Sequence, residues 1–103
     1  MAEIRQGITP TFTFTLPNTV DLTQAENVYV TFRQANKELT KTGRDITVRE
    51  HEVDVFLSQT ETLGFERGTV RAQINWTYDD GNRGETNIVS IEWAETLLRE
   101  VLE

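Results

Sequence analysis

The sequence contains no cysteine and a single histidine, His51, among its 103 residues. Disulfide bonds and thiolate metal sites are therefore excluded, and a histidine-based metal site would lack a second imidazole ligand. The absence of cysteine suits a reducing compartment, so we expect cytoplasmic synthesis. Residues 1–10 lack the apolar segment of a signal peptide, and no apolar run reaches membrane-spanning length. We accordingly expect no association with a membrane.

Basic residues are also scarce: 10 lysines and arginines stand against 17 aspartates and glutamates, so the formal net charge is −7. This charge would repel nucleic acids and anionic membranes, so other proteins are the expected partners. A length of 103 residues fits a single domain, 1–103. The closing pair, Leu102-Glu103, is typical of a vector-derived remnant.

Alternation of apolar and polar residues dominates the chain and predicts β-strands. In "TFTFTL", residues 11–16, the Phe and Leu side chains share one face and the threonines share the other. The longest alternating run, residues 70–78, places Trp76 on the apolar side, which faces the core. About seven short strands at regular spacing predict an all-β fold, an antiparallel sandwich of two sheets. A barrel of about five strands is the alternative.

Two features are expected after that longest run. "DDGN", residues 79–82, predicts a tight turn, because its Asp-Gly and Gly-Asn pairs tolerate positive φ. In the return strand the alternation changes phase between Ile88 and Val89, which predicts either a β-bulge or apolar contacts on both faces.

Three segments depart from the strand pattern. "DLTQAE", residues 21–26, predicts a capped turn, and "SQTE", residues 58–61, matches a capping box, which predicts a one-turn helix near 58–63. Such a helix lets the chain cross between sheets while pairing its own backbone groups. The last ten residues predict a short C-terminal helix with one apolar face formed by Leu97, Leu98, Val101 and Leu102. We expect that helix to pack on the chain's own body, giving a monomer when isolated and oligomers in an assembly.

The polar residues form no convincing catalytic or metal-binding pattern. His51 lies among Glu50, Glu52 and Asp54, with no second His or Cys to complete a zinc site. Ser58, His51 and Asp54 are the residue types of a hydrolase triad, but no nucleophile elbow accompanies them. Oxygen ligands for calcium occur at Asp79, Asp80, Asn82 and Glu85, in a spacing that misses the EF-hand pattern. We expect a non-enzyme without catalytic residues, cofactor-binding residues or a metal.

Two aromatic residues, Tyr29 and Phe56, fall on the outward parity of their strands. Exposed aromatic side chains are typical of protein–protein interfaces, so Tyr29 and Phe56 are the candidate partner-contact surface. The alternative is a carbohydrate- or surface-binding β-sandwich module. Its aromatic platform would draw on Tyr29, Phe56, Phe65, Trp76 and Trp93.

The order of motifs along the chain carries a family resemblance. "IRQGITPTFTF", "DLTQA" and "VYVTFRQ" are followed by "LSQTETLGF", "GTVRAQINW" and "IVSIEW". The series extends from Ile4 to about Leu98 and resembles small phage and prophage structural proteins. It is similar to the N-terminal domains of phage upper baseplate proteins, which are immunoglobulin-like sandwiches. The resemblance implies a non-enzymatic virion component, located in the tail or baseplate and assembled with other phage tail and baseplate proteins.

Overall fold

The computed structural model describes residues 3–102, which form nine strands, one short α-helix and two 3₁₀ turns. The strands are β1 (Glu3–Arg5), β2 (Thr11–Thr15), β3 (Asn27–Gln34), β4 (Lys37–Thr42), β5 (Ile46–Val48), β6 (Glu52–Phe56), β7 (Gly68–Thr77), β8 (Arg83–Glu85) and β9 (Val89–Ala94). The helix is α1 (Gln59–Leu63), and the 3₁₀ turns are Leu22–Gln24 and Gly43–Asp45.

The strands form two sheets, which confirms the all-β sandwich. The larger sheet has the order β1-β9-β7-β3-β4, with β8 paired to β7, and the smaller has the order β2-β6-β5. The expectation of purely antiparallel sheets is wrong, because β1 pairs with β9 in parallel. A parallel pair cannot be joined by a hairpin, and here the two strands come from opposite ends of the chain. Alternation within one strand therefore contains no sign of this pairing.

The core lies between the sheets and is filled by alternate residues of the facing strands. Val30 and Phe32 of β3 and Val53 and Val55 of β6 have no exposed surface. Trp76 is 5% exposed, which confirms its predicted inward direction. The rings of Phe14 and Phe32 lie 6.2 Å apart between centroids and join the two sheets directly. These contacts give the sandwich one continuous apolar layer.

The return strand after β7 is interrupted by a bulge, one of the two outcomes that its change of phase predicts. Asn75 pairs with Glu85 whereas Ala72 pairs with Val89, so three steps along β7 match four steps along the return strand. The extra residue turns Ile88 outward while Ile91 still faces the core. This interruption separates β8 from β9 and, with β1, accounts for nine strands where about seven were expected.

Both predicted caps are confirmed. Asp21 accepts a hydrogen bond from the Thr23 amide at the start of the first 3₁₀ turn, at 2.9 Å. At α1 the Ser58 hydroxyl accepts from the Glu61 amide at 3.2 Å, and the Glu61 carboxylate accepts from the Ser58 amide at 2.8 Å. Both bonds of the capping box are therefore present.

A buried polar network, which the sequence did not suggest, attaches α1 to the larger sheet and to the segment between β1 and β2. Thr62 is fully buried; its hydroxyl donates to the Ile8 carbonyl at 2.8 Å and accepts from the Gly7 amide at 2.9 Å. The Trp93 indole donates to the Thr62 carbonyl at 2.8 Å. Buried Gln6 donates to the Phe65 carbonyl at 2.7 Å. The network fixes where the chain crosses between the sheets.

The predicted C-terminal helix is wrong. Residues 95–102 contain no helix, and the four residues of the predicted apolar face are exposed, with Leu97 at 99%. The segment is too short to form a stable helix unless something covers its apolar face. Instead, the side-chain amide of Gln59 holds the backbone N–H and C=O of Leu102 at 2.8 and 2.7 Å. Glu103 lies outside the described residues.

Candidate functional site

The candidate site lies on the outer face of the larger sheet, where polar side chains of β3, β7 and β8 point away from the core. Alternation decides this direction, because Val30, Phe32 and Ile74 are buried and their neighbours along each strand must face solvent. Strand pairing then aligns the outward residues in rows, including Thr31 with Gln73 and Thr77 with Arg83. We name this surface the arginine face after Arg33, Arg71 and Arg83.

Two shallow depressions adjoin on the arginine face, with volumes of about 280 and 220 Å³. Thr31, Asn75 and Arg83 line both. The first also contains the other two arginines and Ile88, which the bulge turns outward, and the second also contains Tyr29. Guanidinium groups therefore lie beside one apolar and one aromatic side chain, a mixture that is typical of protein interfaces.

The two arginines at one end of the face lie directly opposite each other. Arg33 of β3 pairs in register with Arg71 of β7. Like charges in this position destabilise a sheet, so folding alone does not favour the arrangement. Arg33 is partly compensated by Glu38 on β4, at 3.3 Å. The side chain of Arg71 is exposed and forms no ion pair or hydrogen bond with any other residue in 3–102. Its guanidinium is free to bind an external anion.

Arg83 lies at the other end, held by its neighbours. Its guanidinium donates to the Asn75 side-chain oxygen at 2.7 Å and lies 3.7 Å from the Glu85 carboxylate. Arginine presents a planar fork of donors that matches a carboxylate or a phosphate oxygen pair. The face can therefore bind carboxylates of a partner protein, with one arginine positioned in advance and one unpaired.

The outer face of the smaller sheet has the opposite character. The Arg49 guanidinium donates a short hydrogen bond to the Asp54 carboxylate and lies 3.1 Å from the Glu52 carboxylate. The hydrogen bond from Arg49, followed by one from Thr13, holds the pKa of Asp54 below its ordinary value. Arg49 is thus neutralised by Glu52 and Asp54, and no unpaired cation is left in this cluster among the described side chains.

The predicted contact residues are not brought together. Tyr29 lies on β3 and lines the arginine face, whereas Phe56 lies at the end of β6 and is 50% exposed. Their strands belong to different sheets, so the two rings are on opposite outer faces of the sandwich. Tyr29 belongs to the candidate site, and Phe56 is a separate exposed aromatic residue.

The other candidate residues from the sequence have structural partners. His51 hydrogen-bonds the Val20 carbonyl, Ser58 caps α1, and Asp54 binds Arg49 and Thr13. The three residues of the triad pattern are thus engaged in separate contacts. In the turn, Asp80 accepts hydrogen bonds from the backbone and side chain of Asn82 at 2.9 and 3.0 Å.

No cluster of potential metal ligands occurs among residues 3–102. The same part of the chain contains no helix of the length and hydrophobicity required to span a bilayer.

The aromatic platform of the carbohydrate alternative is not formed. Phe65, Trp76 and Trp93 are buried at 3%, 5% and 1% exposure, and the rings of Phe65 and Trp93 pack edge to face at 5.1 Å. The Trp93 and Trp76 indoles also bond inside the fold, to the Thr62 carbonyl and the Tyr78 hydroxyl. A sugar ring cannot stack on these three side chains while the core is intact.

Sequence reasoning missed the three arginines. The alternation placed Arg33 and Arg71 on the outward sides of their strands. No local sequence pattern, however, predicts that β3 pairs with β7 in the register that sets these two residues opposite each other. Comparison with models of known protein families finds no match, and comparison with curated proteins finds none. We therefore infer the function from the arginine face and from the motifs of the chain.

Proposed function

We propose that this chain is a non-enzymatic component of a phage or prophage virion, of tail or baseplate type. It acts as an assembly module whose arginine face binds an acidic surface of a neighbouring subunit. The chain is synthesised in the cytoplasm and joins the virion on assembly. The motif order from Ile4 to about Leu98 supports the family part of this proposal.

The observation that carries the binding part is the unpaired Arg71 opposite Arg33. A chain with a net charge of −7 has abundant carboxylates, yet none among residues 3–102 forms an ion pair with Arg71, and Glu38 on the same face is paired with Arg33. Complementary charge steers association and selects the partner, so an exposed guanidinium is useful where an acidic partner binds. Tyr29 and Ile88 add apolar contact area on the same face.

A non-enzymatic role agrees with the state of the polar side chains. Ser58 and Asp54 are engaged in contacts that stabilise the fold, and the depressions of the arginine face are shallow and without a histidine. Arginine, threonine, glutamine and asparagine supply hydrogen bonds but no general acid or base near neutral pH. Glu38, the carboxylate that lines the first depression, is paired with Arg33.

The test begins with the gene neighbourhood, where we expect tail or baseplate genes. Each structural protein encoded there is then titrated against this chain by calorimetry. We expect one to bind, with affinity that falls as salt is raised. Arg71→Glu should weaken binding at least about tenfold, equivalent to about 1.4 kcal/mol.

The matched control is Arg44→Glu. Arg44 is exposed in the second 3₁₀ turn, lines neither depression of the arginine face, and forms no ion pair with other residues of 3–102. The same change of charge there should leave affinity nearly unaltered. Equal loss in both variants would contradict a specific arginine face, and the absence of any binding neighbour would contradict the assembly role. Saturable binding on a glycan array would favour a carbohydrate-binding module.

A further inference from the structure

The edge strands of the two sheets differ in how they are protected. β1, β5 and β8 have three residues each, and β4, "KELTKT", carries three charged residues. Short length and charge are the means by which natural sheets prevent edge-to-edge pairing. β2, "TFTFT", has five residues and no charge, proline or glycine. It is the least protected edge in the described part of the chain.

The open side of β2 presents a regular set of backbone groups. The strand pairs with β6, and flanking hydrogen bonds join Leu57 N–H to the Pro10 carbonyl and Leu16 N–H to the His51 carbonyl. In an antiparallel ladder every second residue hydrogen-bonds the partner strand, so the backbone N–H and C=O groups of the even-numbered residues from 10 to 16 point toward β6. The N–H and C=O groups of Thr11, Thr13 and Thr15 therefore point to the open side.

The side chains of β2 leave room for a neighbouring strand. Phe12 and Phe14 point toward the core but are only partly buried, with ring centroids 4.7 Å apart, and the three threonines are exposed. A further strand on the open side would cover the two phenylalanine rings and satisfy the outward backbone groups. It would continue the smaller sheet.

The sequence of β2 identifies the strand that fits. "TFTFT" is the same in both directions, so antiparallel pairing of two copies about Thr13 sets Thr opposite Thr and Phe opposite Phe. A twofold interface requires such self-complementarity. Because β2 is uncharged, the two strands do not repel each other, although the chain as a whole has a charge of −7.

We propose that two copies of this chain pair through β2, antiparallel and centred on Thr13, to form one continuous six-stranded sheet. The contact uses the smaller sheet and is independent of the arginine face on the larger one. A strand of five residues on each side is far smaller than a standard interface, which has about 20–30 residues a side. Pairing is therefore weak in dilute solution, and it strengthens where an assembly holds two copies together.

Cysteine crosslinking tests the pairing and its register, because the natural chain has no cysteine to compete. In the proposed dimer the two Thr13 residues form a hydrogen-bonded pair with Cα atoms about 5.5 Å apart, within the range for a disulfide. At high protein concentration with diamide, Thr13→Cys should crosslink readily. Thr11→Cys and Thr15→Cys should each crosslink poorly alone, since each lies about four residues, or ~14 Å, from its own copy. Mixed together, they should form the heterodisulfide.

Thr40→Cys on β4 supplies the collision background, because Thr40 is also an exposed threonine on an edge strand. Crosslinking of Thr13→Cys no faster than Thr40→Cys would overturn the proposal, and equal rates at positions 11 and 13 would overturn its register. Sedimentation of the natural chain should show mass rising from 11.8 kDa toward twice that value with concentration. Thr13→Pro should abolish this rise, since proline removes the outward N–H while the backbone hydrogen bonds of residues 10, 12, 14 and 16 to β6 do not involve residue 13. Circular dichroism verifies the fold of each variant.

Discussion

The indole of Trp76 lies directly over Gly84 of the paired strand β8. A Cβ atom built on Gly84 would lie 2.4 Å from Cε2 and Nε1 of the indole, closer than any real contact. The indole is also fixed from its polar end, since Nε1 donates to the Tyr78 hydroxyl at 3.0 Å. Glycine is required at position 84 because the indole occupies the space that a Cβ atom would need.

We predict that Gly84→Ala lowers the free energy of unfolding by about 1–3 kcal/mol, the usual cost of overpacking a core. Urea denaturation measures the change. In a Trp76→Phe background the smaller ring leaves room for the alanine methyl group, so Gly84→Ala should lower the free energy of unfolding much less. An equal cost in both backgrounds would show that the indole is not the obstacle.

The short helix α1 is held by an ion pair as well as by its cap. The Glu61 carboxylate, which accepts from the Ser58 amide, also lies 2.7 Å from Lys41 Nζ on β4, and both side chains are largely buried. Burial raises the pKa of Glu61, but the hydrogen bonds from Lys41 and the Ser58 amide outweigh it and hold the pKa below its ordinary value of 4.5. One carboxylate thus links the helix to the larger sheet.

Glu61→Gln should lower the free energy of unfolding by about 1.5–3 kcal/mol at neutral pH, because it replaces the charged acceptor of both hydrogen bonds by a neutral amide. A carboxylate with a lowered folded-state pKa stabilises the fold fully above its ordinary value of 4.5, and this contribution disappears as the pH falls through the lowered pKa. The difference between natural chain and variant should therefore narrow in acid.

Urea denaturation at a series of pH values checks this expectation. Glu95→Gln is the control, because Glu95 is exposed and lies 3.9 Å from its nearest partner, Arg67. It should change stability little at any pH. A constant difference for Glu61→Gln across the series would contradict the role of its charge.

Charge and hydrophobicity are distributed unevenly over the molecule. Unpaired arginine occurs on the outer face of the larger sheet, a carboxylate cluster lies on the smaller sheet, and exposed apolar side chains occupy residues 97–102. These three regions have no residue in common.

Leu97→Glu tests whether the C-terminal segment contributes to folding. Because Leu97 is 99% exposed, we expect its melting temperature to match that of the natural chain and its free energy of unfolding to change by less than about 0.5 kcal/mol. Calorimetric melting measures both. Leu57→Glu, at 1% exposure, is the opposite control and should unfold the domain. A marked loss of stability in Leu97→Glu would mean that this segment packs on the sandwich.

Local chemistry determined most of the secondary structure from the sequence alone. Alternation identified the inward face of β7, including Trp76, because side chains of a strand point to opposite sides with a period of two. The Ser58–Glu61 capping box and the Asp21 cap depend on residues within three positions of one another. The change of phase at Ile88 and Val89 predicted the bulge for the same reason.

Only the tertiary structure decided which residues from distant parts of the chain lie next to each other. The register of β3 on β7, which opposes Arg33 and Arg71, joins distant segments whose pairing no local pattern encodes. The same holds for the parallel β1–β9 pair and for the separation of Tyr29 from Phe56. The C-terminal apolar spacing suggested a helix, yet a short helix persists only when its apolar face is covered. In this fold the end of the segment is instead held by hydrogen bonds between the side-chain amide of Gln59 in α1 and the backbone of Leu102.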